Sequence, residues 1–434
     1  MSDLTHSTNP HGRGRAWTRP VSRHHLAGGL ALIVASVASG QEALRNSLTE
    51  QSVVEAQRQQ WENQPYNIKA GDLKMLIVPS IGLDYNDNIY ISSSNPQSDW
   101  ILKPFVDFDG VYPLTEHNVL SLSVGVGYDE YLQHDRRSDW RLKSDSGLSF
   151  DVQVQDFQFN LHDRFTYSQD PTSYSALANI PEYGRFNNTA GISTIWDLGD
   201  VVPSLSYDHQ NSIVTTKDFE YEDCSTEMLV GRVGFQIHPK VTTGVESTAA
   251  FTTYDQKIIN DNANYSVGGY VDWKPGAYFQ FSPRVGYSTY VFQHTSRYGE
   301  TADMNSWYAD LKVTHKITDM FSYSIDAGRE TRLGVQSDVV QSWFLRPSLN
   351  WTGFHNFNTT AYLTFENATT QGQNYFRSNF SEKYDYLGAG FNLSYPIMKK
   401  LSASLHYRIT VRSSNSANRD YTQNVVGIQL AYRL

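Results

Sequence analysis

The residues in this chain that could do chemistry are few, and their spacing works against them. His162 and Asp163 stand side by side in NLHDRF. A general base and its carboxylate must point at one another, but successive side chains of a strand leave opposite faces. Asp84, Asn86, Asp87 and Asn88, in LDYNDNIY, offer oxygens of the kind that hold Ca²⁺, yet the same residues also open a polar loop. The single cysteine, Cys224, can form no internal disulfide and reads as a chance exposed thiol. Gly-x-Ser-x-Gly and His-Glu-x-x-His do not occur, and there is no Gly-rich phosphate loop or zinc spacing. The expectation is a protein that is not an enzyme and carries no cofactor and no metal.

The remaining chemistry is distributed along strands. Val426, Ile428, Leu430, Tyr432 and Leu434 share one face, with Gly427, Gln429, Ala431 and Arg433 on the other. This period of two recurs from Leu120 to Tyr128, from Leu401 to Ile409 and from Phe357 to Phe365. Reading the polar face along the chain gives the basic residues Lys103, Arg164, Arg232, Arg284, Lys312, Arg346 and Arg408. It also gives the acidic residues Asp107, Asp109, Asp151, Glu246, Asp272, Asp310, Asp326 and Glu366. On one reading these charges set up a field across a wet lumen that orients polar solutes. On the other they pair across adjacent strands. The mixture of signs argues against strong anion or cation selection. Inward Tyr308 and Tyr362 could stack on sugar rings or serve structure alone.

The elements that must position these residues are long strands. Each alternating segment runs about 10 to 13 residues, against about 5 to 6 in soluble sheets and about 9 to 11 for a tilted membrane-crossing strand. Short connections near 113–117, 154–156, 198–200, 238–240, 274–276, 317–319, 353–356 and 397–400 alternate with long polar ones. The long ones lie near 86–99, 130–140, 169–185, 209–225, 255–263, 293–303, 333–339, 368–382 and 412–420. Eight turns and nine loops make an all-β, antiparallel, up-and-down transmembrane barrel of about 18 strands, with 16 as the alternative. The short turns would be periplasmic and the long loops extracellular. Of the long loops, 169–185 and 209–225 are the candidates to fold inward and narrow the lumen. Aromatics such as Trp196, Trp273, Tyr128, Tyr207 and Tyr395 fall where strands would meet headgroups.

Composition fits this architecture. Aromatic content is 13% while hydrophobic residues are only 39%, and mean hydropathy is −0.48. After residue 40 no apolar stretch is long enough for a membrane helix. Residues 1–40 have the layout of a signal peptide: Arg13, Arg15, Arg19 and Arg23, then an apolar run from Leu26 to Ala38, then small residues to Gly40. Cleavage there removes four Arg and one Asp, so the net charge moves from −10 to −13 (31 minus 44). A chain this acidic is not a nucleic-acid binder. Residues 41–72 form a polar, helix-prone segment that either docks a periplasmic partner, plugs the lumen or serves as a tether. The barrel would occupy 73–434.

The run PSIGLDYNDNIY from Pro79, a loop ending in SerAspTrp, the strand ILKPF and the strand from Ser121 to Tyr131 together resemble the family described as beta-barrel porin 2. The resemblance is sharpest over 79–131. It implies an outer-membrane barrel without catalytic residues, in a group where some members are tied to exopolysaccharide production. The final strand resembles the C-terminal signal read by the barrel-assembly machinery, with Leu434 where such barrels usually carry Phe. The leading functional expectation is a porin-like channel for passive passage of small polar solutes. The alternative is a conduit for exopolysaccharide, acting with a periplasmic partner through residues 41–72. Expected partners are outer-membrane lipid and the assembly machinery. A homo-oligomer is compatible with the pattern.

Overall fold

The computed structural model describes residues 66–115, 117–297, 301–335, 337–353, 356–372 and 381–434, and of Asp145 the backbone alone. The signal peptide expected over 1–40, and residues 41–65 of the helix-prone segment, lie outside the described residues. Of the rest of that segment, Ile68–Ala70 is a short strand, β1, which turns through Gly71 in the left-handed region (φ 62°).

Long strands then follow in unbroken succession: β2 (Leu73–Asn86), β3 (Asp99–Pro113), β4 (Val119–Tyr131), β5 (Asp139–Val154), β6 (Phe157–Ser168), β7 (Arg185–Trp196), β8 (Val201–Val214), β9 (Cys224–His238), β10 (Val241–Tyr254), β11 (Asn262–Gly276), β12 (Phe279–Phe292), β13 (Met304–Thr318), β14 (Phe321–Leu333), β15 (Val339–Thr352), β16 (Asn358–Gln371), β17 (Glu382–Pro396), β18 (Leu401–Ser414) and β19 (Tyr421–Tyr432). Each pairs antiparallel with the next. β19 pairs with β2, from Val425 opposite Asn86 to Ala431 opposite Ser80, so β2 to β19 close into an 18-stranded barrel. The 16-strand alternative is set aside.

Closure is forced by the backbone, because an unpaired amide or carbonyl in hydrocarbon costs several kcal/mol. The seam shows how far this is carried. β2 extends below its pairing with β19, and β1 covers that edge through Ile68–Met75, Lys69–Lys74 and Ala70–Leu73. Just above, Asn67 acts as a strand partner in miniature. Its Nδ2 donates to Ile77 O at 2.7 Å, and its Oδ1 accepts from Ile77 N at 3.1 Å.

The strands are 12 to 16 residues long, longer than the alternation suggests. They continue pairing above the membrane, as at Arg185–Val214 and Tyr254–Cys224. For the same reason the loop expected over 209–225 shrinks to 215–223. β11 runs through Gly276, so its reversal falls at residues 277–278 and not at 274–276.

The apolar face points outward. Val267 and Val285 are each 61% exposed and Ile428 is 58% exposed, which in water would be a liability and in lipid is the source of stability. Rings mark both edges of the belt. Phe157 stacks on Trp196 at 5.0 Å, and Phe357 meets Tyr395 tilted at 4.6 Å, at the short-turn end. Tyr85–Trp100 at 5.2 Å, Tyr128–Trp140 at 5.4 Å and Trp307–Trp343 at 5.5 Å lie at the other. From Trp307 to Ile317 on β13, at about 3.3 Å per residue and a tilt of about 40°, the belt is about 25 Å tall. A closed antiparallel barrel with such a belt is an outer-membrane protein.

The inner wall has its own packing rule. Tyr308 of β13 lies flat across β12 and β11. A Cβ on Gly268 would come within 2.2 Å of its hydroxyl, and one on Gly286 within 2.4 Å of its ring. Glycine is required at both because the ring occupies the space of a side chain.

Two outcomes test this description. Unboiled protein in SDS should migrate differently from boiled protein; identical migration is incompatible with the barrel. Gly268→Val should lower stability by about 1–3 kcal/mol through overpacking against Tyr308, read as a lower temperature for loss of the fast-migrating form, with no change showing that the ring can step aside freely.

Candidate functional site

The connection between β6 and β7, residues 169–184, does not extend into solvent. Between Asp170 and Glu182 its sequence, PTSYSALANIPE up to the glutamate, contains no charge, and an apolar loop of this kind gains by burial. Leu177 and Tyr183 are fully buried, and Ala178 and Ile180 nearly so. They join Ile91, Val214, Phe219, Tyr221, Tyr254, Ile259, Val335 and Tyr421 in a core built from the outer loops and strand ends. Phe219 and Tyr221 come from the connection 215–223, so both loops singled out in the sequence fold inward. Cys224 packs partly buried against this core and is therefore not an exposed thiol.

The loop crosses to the far wall and is held there by its own backbone. Asp170 caps a short 3-10 turn at Pro171–Ser173, accepting from Thr172 N at 2.9 Å and Thr172 Oγ1 at 2.6 Å. It also accepts from Arg408 of β18 at 3.2 Å. Burial acts to raise the Asp170 carboxyl, but Arg408 and the Thr172 groups outweigh it and hold it at about 2. Tyr386 of β17 donates to Thr172 O at 3.1 Å. At the tip, Ser175 Oγ donates to Glu366 at 2.9 Å and accepts from Arg332 at 3.1 Å. Arg412 donates to Ser175 O at 2.9 Å, and Arg419 to Ala176 O at 2.5 Å. On the return path Asn179 N donates to Ile91 O at 2.9 Å.

The arginines of this latch are held in turn by carboxylates. Arg332 pairs with Glu366 at 2.5 Å and Glu330 at 3.1 Å, and Glu382 takes both Arg412 at 2.7 Å and Arg419 at 2.9 Å. Side chains nearly out of water lose hydration, so such pairs hold position more than they add net stability.

The crossing segment divides the charges read from the sequence. On one side Lys103 lies 2.9 Å from Asp84 and 3.9 Å from Asp129, which also pairs with Arg141 at 3.1 Å. Lys143 links Asp107 at 3.0 Å and Asp109 at 3.8 Å. A cavity of about 50 Å³ lies here, with Lys103, Asp129, Arg137, Arg141, Asp170 and Arg408 in its wall. Above it, a larger outer hollow of about 470 Å³ is lined by Tyr90, Gln97, His134 and Asn179. On the other side Arg232 sits 3.6 Å from Glu246 and 4.0 Å over the Tyr270 ring, while Tyr308 donates to Glu246 at 3.3 Å.

The remaining sequence candidates fall on the inner wall in register. Arg284 stands opposite Asp310, Lys312 opposite Asp326, and Asp326 opposite Arg346, whose guanidinium lies 3.8 Å from it. Arg164 is half-buried opposite Thr189. Glu246 and Glu366 need correction as pore-lining residues. They point inward but are only 1% and 4% exposed, because Tyr308 covers the first and the loop tip covers the second. His162 has both ring nitrogens engaged, by Asn160 at 2.9 Å and Asp208 at 2.7 Å, while Asp163 is exposed on the opposite face.

Sequence reading missed Asp170, Ser175, Arg332, Glu382, Arg412 and Arg419. The usable signal was the charge-free loop. Its docking partners, several strands away, left no local trace.

The chain is thus an outer-membrane β-barrel with an outer loop folded into its lumen. No protein-family model matches it, the porin 2 resemblance included, and no curated protein matches it. Among solved structures it is similar to Pseudomonas aeruginosa OccK2 (OpdF), at 9% identity and TM-score 0.47, covering 84% of this chain and 98% of that one. It is also similar to Acinetobacter baumannii OccAB3, at 10% identity and TM-score 0.45, covering 83% and 99%. These likenesses are weak, and the barrel class rests on this chain's own strand pairing.

The outer core carries one titratable weak point. Glu222 is 4% exposed. Tyr183 donates to its carboxylate, and Arg185 lies 3.9 Å away. Burial pushes this carboxyl up to about 8, against the lesser opposing pull of Arg185 and the two tyrosine hydroxyls of Tyr183 and Tyr221. With the packed-state value raised, protonated Glu222 favours the closed core fully below its ordinary value near 4.5. That contribution is lost as pH rises through about 8. Limited proteolysis of the outer loops should therefore be faster at pH 9 than at pH 6, and Glu222→Gln should remove the difference. Equal rates in the wild-type protein at both pH values would count against this account.

Proposed function

We propose that this protein is a porin-like channel in which small polar solutes pass a lumen narrowed by residues 169–184. One observation carries the reading: an outer loop whose segment 171–181 carries no charge spans the barrel interior and is fastened to the opposite wall through its own carbonyls. A structural barrel has no use for that arrangement. A diffusion channel needs a fixed narrowing whose lining sets what may pass, and a latched loop facing a wall of paired charges supplies it. Lys103, Asp107, Asp109, Arg164, Arg284, Asp310, Lys312, Asp326, Arg346 and Arg408 would line the path, with Arg232 partly screened by Tyr270. Their pairing within the wall supports weak charge selection.

Nothing comparable favours an exopolysaccharide conduit. Of the inward tyrosines named from the sequence, Tyr308 is 5% exposed and lies flat over Gly268 and Gly286, while Tyr362 is half-buried against Gly390, so each has a ring face taken by the wall.

Planar bilayers test the proposal. Stepwise, ohmic conductance is expected from the wild-type protein. Arg412→Ala, which frees the Ser175 carbonyl and one side of Glu382, should enlarge the step, on the order of twofold. Arg408→Ala leaves Asp170 unpaired beside the cavity and should shift the reversal potential in a salt gradient towards cations. Absence of conductance in all three, with heat-modifiable barrels confirmed, would sink the channel reading.

A further inference from the structure

Asp163 is out of place on the apolar outer face of the barrel. Its neighbour His162 is locked inward on Asp208, so Asp163 leaves the opposite face, where it is exposed beside Leu161. It is six residues up β6 from Phe157 of the lower girdle (163 minus 157), or about 15 Å up a belt of about 25 Å. Phe165 and Tyr167 follow above it on the same face. Asp385 on β17, by contrast, faces outward at the upper rim, above Leu387.

The position is built rather than accidental. Asn188 of β7 turns its side chain outward to donate to Asp163 Oδ1. From there the polar track climbs across two more strands. On β8 and β9, His209 meets Glu227 at 2.7 Å and Tyr207 donates to the same carboxylate at 2.5 Å. Acyl chains supply no hydrogen-bond donors, and polar side chains at such depth normally face protein.

We infer that a second copy of this chain covers the outer face of β5–β9, so that the protein works as a homo-oligomer with Asp163 at the protomer contact. The patch carries both acceptors (Asp163, Glu227) and donors (Asn188, His209), which makes it able to complement itself. Five strands at about 4.8 Å spacing and about 25 Å height give a strip of about 600 Å² per copy, or about 1,200 Å² in total, the lower end of the range for specific association. Exposed Leu161, Ile192, Leu205 and Leu229 frame it, and Ala190 beside Asp163 lets a second backbone come close.

The oligomeric state in lipid nanodiscs, measured by native mass spectrometry, tests this. The wild-type protein should be an oligomer, and Asp163→Leu should be largely monomeric with the barrel intact by heat-modifiable migration. In native membranes, Ile192→Cys treated with a short bis-maleimide should give a cross-linked pair that the wild-type protein, with its packed Cys224, does not give. A wild-type monomer would overturn the inference, with a higher unfolding temperature for Asp163→Leu showing that the carboxylate had faced lipid. An oligomer unaffected by Asp163→Leu, or one in which Ile192→Cys gives no cross-linked pair, would overturn it by placing the contact elsewhere.

Discussion

Every strand of this protein lies in a medium that offers its backbone nothing. In water a frayed edge is rehydrated, whereas in hydrocarbon each lost pairing leaves a donor and an acceptor bare. The requirement that all such groups be paired explains the ring of strands and the β2–β19 seam. It also explains the small devices at the seam, where β1 and the Asn67 amide take over pairing that β19 is too short to provide. With the backbone satisfied, side chains are free to face lipid on one side and the lumen on the other.

The lumen follows a different logic, since its wall is polar and buries charge. Its charges are held in pairs and its large rings are pressed flat over glycines, as Tyr308 is over Gly268 and Gly286. Across this wall the loop 169–184 is fixed at both of its surfaces. Its apolar side chains join a core with the other outer loops, and its carbonyls accept from Arg412 and Arg419. Guanidinium groups suit this role because their donors are rigid and always charged. The same groups also take carboxylates, so Glu382 and Glu366 fix the positions of the donors that hold the loop. The outer core adds a buried carboxyl, Glu222, whose protonation is coupled to how tightly the loops pack.

The outer surface shows how a local rule can expose a larger one. Alternation sends His162 inward to a buried pair and Asp163 outward into the belt. Neither residue assists the other chemically, and the separation itself makes Asp163 informative. A carboxylate with an amide built beside it, deep in an apolar band, is what the proposed protomer contact rests on.

The sequence by itself determined the barrel, its strand number, the alternation of turns and loops, and the faces on which Lys103, Arg284 and Arg408 project. These follow from a two-residue period and from turn chemistry, which act between near neighbours and so are written locally. Even the inward fold of 169–184 was foreshadowed, by the length of that loop. Only the tertiary structure decided which wall receives that loop, that Glu246 and Glu366 are sealed rather than wet, and that Cys224 belongs to a core. Ser175 and Glu366 are 191 positions apart and Ser175 and Arg412 are 237 apart. Such contacts depend on barrel closure and strand shear, and no local pattern of residues encodes them.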